Sequence, residues 1–112
     1  MGRVLILEPN SEVRELIARV AARLGHEPVL VTSLATDDLP SVDAIVLEPA
    51  WAPGLEFART LREGHPGARV VLESIEPDSE ARWEFRPVRF LVKPFGLADL
   101  EQALASALEP RR

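Results

Sequence analysis

Four charged side chains stand directly after short apolar runs. Glu8 follows Val4–Leu7, Glu48 follows Ala44–Leu47, Glu73 follows Arg69–Leu72 and Lys93 follows Phe90–Val92. Three carboxylates and one amine drawn to a single place could ring a cation, hold an oxyanion or lock one another as ion pairs. Lys93 is the only lysine in 112 residues; the other twelve basic side chains are arginines. A compact ammonium suits one phosphate or carboxylate oxygen where the flat guanidinium fork would not fit. Pro94 comes next, with no N–H to extend a ladder and a bias against helix at Lys93. The lysine is therefore held at the carboxyl end of its strand, and Pro94 is the candidate for a turn or a cis-proline there.

The elements that must carry these residues are legible from hydrophobic period. Val4–Leu7, Val29–Val31, Ala44–Leu47, Arg69–Leu72 and Phe90–Val92 read as strands, and their unbroken apolar runs ask for cover on both faces. Between the first two, Val13, Leu16, Ile17, Val20, Ala21 and Leu24 recur at three and four residues, one stripe of a helix. Asn10 or Ser11 can cap it and Gly25 can close it. Residues 34–41 leave room for one or two helical turns. Ala50–Gly54 reads as a turn-rich loop, Leu55–Glu63 as a helix closed by Gly64, Asp78–Phe85 as a short helix, and Leu97, Leu100, Leu104 and Leu108 as the lining of a last one. Strand and helix alternate five times, the signature of an α/β fold with a parallel sheet between helices. In such a sheet ligands bind beyond the carboxyl ends of the strands, where Glu8, Glu48, Glu73 and Lys93 stand.

Composition narrows the function classes. The length fits a single domain, 1–112. A net charge of −5 argues against direct nucleic-acid binding, and no apolar run is long enough to span a membrane. The absence of cysteine removes disulfides and thiolate metal sites and fits a cytoplasmic location. There is no Gly-rich phosphate loop, no metal-spaced His/Cys set and no Ser–His pairing, so the chain is not expected to be an enzyme. His26 and His65 fall in loops at the opposite end of the strands from the acids.

The chain resembles the receiver domains of two-component response regulators over about residues 3–108. Val92-Lys93-Pro94-Phe95, the Glu12-Val13-Arg14-Glu15-Leu16 opening of the first helix and Asp43–Leu47 carry the likeness. The resemblance implies a flavodoxin-like (βα)5 three-layer sandwich with strand order 2-1-3-4-5, here with a shortened second helix, and it is to the stand-alone, chemotaxis-type members. It also implies that Glu48 stands where the family's phosphoaccepting aspartate does, that Lys93 matches its phosphate-binding lysine, and that Phe90 matches its switch aromatic. The two metal-holding acids of the family fall on Glu8 and Pro9, so one is lost. Glu73 takes the place of its phosphoryl-sensing Thr or Ser.

These departures argue against ordinary phosphorylation. Glu48 reaches on the order of 1 Å further than Asp, and a misplacement of that size can cost about a hundredfold in rate. Three carboxylates near one ammonium should repel, so at least one is expected to titrate upward. No metal or other cofactor is expected, with a weakly held Mg²⁺ at Glu8 and Glu48 left open. The expected function is an atypical receiver in phosphorelay signalling that acts through protein contacts, with a histidine kinase or another signalling protein as partner. The alternatives are a regulator still phosphorylated at this site and, in another class, a flavodoxin-like binder of small ligands. Trp51, Trp83, Phe85 and Arg89 are the interaction candidates, with Arg82 and Arg86 adding charge. A homodimer through segments 78–85, 90–92 and 97–108 is the corresponding expectation.

Overall fold

The parallel sheet predicted from the apolar runs is present, in the order β2-β1-β3-β4-β5. A computed structural model describes residues 2–30, 41–75 and 80–109. Its strands are β1 (Arg3–Leu7), β2 (Glu27–Leu30), β3 (Ala44–Leu47), β4 (Arg69–Ser74) and β5 (Arg89–Val92). Its helices are α1 (Ser11–Arg23), α2 (Ala52–Gly64), α3 (Ala81–Phe85) and α4 (Leu97–Ala107). The expected short helix at 34–41 falls almost wholly outside the described residues, as does Val31 of the second strand.

The strands are apolar throughout because successive side chains feed two different cores. Val4 and Ile6 of β1, Ala44 and Val46 of β3 and Val71 of β4 pack on Ile17, Val20 and Ala21 of α1 and Leu100 and Leu104 of α4. Leu5, Leu7, Ile45, Leu47, Val70 and Leu72 point the other way, onto Phe57, Ala58 and Leu61 of α2 and Phe85 of α3. Among the described residues β2 lies at an edge of the sheet, paired with β1, which is where a strand tolerates Pro28.

Local chemistry sets the helix ends. Asn10 caps α1, its side chain accepting from the amides of Glu12 and Val13 at 3.0 and 3.1 Å. At the other end Gly25 adopts φ 88°, and the amides of Gly25 and His26 close on the carbonyls of Ala22 and Ala21. That is the glycine-terminated stop a left-handed residue allows.

Some expectations need correction. The helix expected from Leu55 begins at Ala52, inside the stretch read as a loop. Pro53 sits in its first turn, where the missing N–H has no intrahelical partner to lose. Gly64 is the last residue of α2 and has no left-handed backbone; among the described residues positive φ occurs only at Gly25 and Arg86. β4 carries on past its apolar run and ends at Glu73 and Ser74. Leu16, Leu24 and Leu97, assigned to buried stripes, are exposed.

Candidate functional site

Register alone brings the acids level. Leu7 pairs with Leu47, and Leu47 with Leu72, so Glu8, Glu48 and Glu73 are the next residues along three adjacent strands. Glu73 in turn lies opposite Leu91, and the amide of Lys93 donates to the carbonyl of Ser74 at 2.8 Å. The Lys93–Pro94 peptide bond is cis.

The lysine Nζ sits among all three carboxylates. It is bonded to Glu8 Oε1, lies 2.8 Å from Glu48 Oε2 and 3.3 Å from Glu73 Oε2. All three acids are buried. Glu8 and Glu48 are built alike: each is followed by proline, and each turns its other oxygen back to the first amide beyond it. Asn10 N donates to Glu8 Oε2 at 3.1 Å, and Ala50 N to Glu48 Oε1 at 3.0 Å. Arg14 Nη1 donates to the Glu8 carbonyl at 3.1 Å, holding the first of these loops to α1.

Glu73 differs. It is fully buried, at 0 % exposure, and neither oxygen accepts a hydrogen bond. Because β4 continues through Ser74, no loop amide turns back on it. Burial, a hydrogen bond shared with Glu8 and the charge of Glu8 push its pKa up to about 9, against a smaller lowering by Lys93. In its protonated form Glu73 becomes a donor towards Glu8, as expected for a carboxyl with nothing else to satisfy it. Burial alone would lower the Lys93 pKa, but hydrogen bonding to Glu48 and Glu8 and the charge of Glu73 outweigh it and raise the value. The ammonium is therefore charged at neutral pH.

Oxygens of Glu8, Glu48 and Glu73 all lie within 4.8 Å of one another, a spacing that could ring a cation. The lysine ammonium already bridges that ring. A divalent ion there would confront it at close range, and Pro9 supplies no further carboxylate. The residues fit a lysine ammonium better than a metal ion.

The remaining candidates separate. Trp51 is half-buried, packed into the second core, and its ring closes over Gly54 on the first turn of α2 so tightly that a Cβ there would strike it. Trp51, one of the interaction candidates, thus packs against its own helix. Phe85 is only 3 % exposed, in the core beneath α2, and does not belong to an exposed aromatic face. Their neighbour Trp83 is 83 % exposed. Phe90 is half-buried against the second core, with the Arg82 guanidinium 5.5 Å from its ring centre. Arg89 is exposed and donates to Ser106 Oγ at 3.4 Å. His26, half-buried, accepts from Gly2 N at 3.0 Å, at the amino-terminal end of the sheet. The paired backbone amides of Asn10 and Ala50 were not anticipated, although the repeated Glu-Pro-X spacing was visible in the chain.

No protein-family model and no curated protein sequence matches the chain. Solved structures do. The BeF3-activated DrrB receiver domain superposes with a TM-score of 0.78 at 19% identity, over 98% of this chain and 99% of that one. This is the receiver fold. The chemotaxis protein CheY4 of Vibrio cholerae gives 0.77 at 21% identity, over 96% and 99%. An orphan response regulator of H. pylori, HP1043, gives 0.67 at 24% identity, over 92% and 90%. At these identities the likeness is one of fold, and within the receiver fold the acidic rim described above is the carboxyl-terminal edge of the sheet. No helix among the described residues is long and apolar enough to cross a membrane.

Proposed function

We propose that this chain is a receiver-type signalling module that works by docking protein partners, its rim held by a carboxylate–ammonium cluster instead of being switched by phosphoryl transfer. The observation that carries the reading is the single lysine ammonium within ion-pair reach of Glu8, Glu48 and Glu73. Phosphoryl transfer needs an open acid, a neutralising cation and a lysine free to meet the incoming oxygens. Here both oxygens of Glu48 are engaged, one by Ala50 N and one by Lys93. Lys93 is committed to the three glutamates, and Glu73 places a fourth-strand carboxyl where the resemblance expects a hydroxyl.

The Glu48–Lys93 contact imitates in part the contact an acyl phosphate would make, with one charge and two oxygens in place of about two charges and three. The domain is thereby kept in one conformation, and its partners are a histidine kinase or another signalling protein. No Mg²⁺ is required in this reading, because the ammonium supplies the neutralising charge.

The test is incubation with acetyl phosphate and Mg²⁺ followed by intact mass. The expected spectrum shows the unmodified chain alone. A stable adduct of one phosphoryl group, lost in Glu48→Gln, would refute the reading and favour a regulator still phosphorylated at this rim.

A further inference from the structure

We draw no further inference here: the strongest candidate, the open cavity of about 610 Å³ at the amino-terminal edge of the sheet, lined by Asp43, His65, Arg69 and Leu108, adjoins residues 1 and 110–112, which lie outside the described residues, and nothing in the structure shows what covers it.

Discussion

Replacing Glu73 by Gln should make the protein more stable, and more so as the pH rises. Glu73 is the buried carboxyl without a donor, facing Glu8 from β1, Glu48 from β3 and Lys93 from β5. Its ordinary value is 4.5 and its folded value about 9. Between those pH values the folded chain keeps a proton that the unfolded chain releases, so the unfolded state binds fewer protons and stability falls as pH rises. Below pH 4.5 the residue is protonated in both states and the stability attached to it is fully present. Lys93, whose folded value is raised, contributes stability that is complete below the ordinary lysine range, so it adds no slope in this window. At pH 7 the proton on Glu73 is worth about 3 kcal/mol, an upper bound from 1.36 kcal/mol per pKa unit. Glutamine keeps the shape, cannot ionise and carries donors of its own. Urea unfolding at pH 5, 7 and 8.5 should show the parent losing stability with pH and Glu73→Gln nearly level, the two curves close at pH 5. A parent whose stability rises or stays flat from pH 5 to 8.5, or a Gln variant weaker than the parent at pH 8.5, would refute the protonated-carboxyl argument.

Removing the ammonium should act in the opposite direction: Lys93→Met leaves buried carboxylates unpaired and should cost about 3–5 kcal/mol in the same urea assay at pH 7. Gly54→Ala puts a methyl group into the Trp51 ring, and overpacking of that sort should cost about 1–3 kcal/mol and shift the tryptophan emission. Arg86→Gly should gain about 1 kcal/mol by removing a left-handed L-residue, read as a higher urea midpoint with an unchanged slope.

How much of this was written in the chain depends on the range of the interaction. The apolar runs before Glu8, Glu48 and Lys93 already imply strands covered on both faces, and the strand ends then carry the charges to one edge. Asn10 and Gly25 mark the ends of α1 through contacts within a few residues, so their roles follow from residue type. Pro53 and Gly54 were misleading for the same local reason. Both are turn residues by habit, but proline is also at home in the first turn of a helix, and only the Trp51 ring above Gly54 explains why no larger residue stands there. α3 shows the limit most plainly. Trp83 and Phe85 are two aromatics on one short helix, and nothing in their spacing says which faces α2.

The sequence by itself determined the alternation of strands and helices, the edge on which the charges gather and the uniqueness of the lysine, because those depend on local pattern and count. Only the tertiary structure decided that one ammonium meets all three glutamates. It also decided that Glu8 and Glu48 each gain a backbone amide while Glu73 gains none. The first outcome depends on strand register, which sets Lys93 against residues 20, 45 and 85 positions earlier and leaves no period to read. The second depends on β4 running two residues longer than its apolar stretch, where Glu8 and Glu48 meet an amide only two residues on.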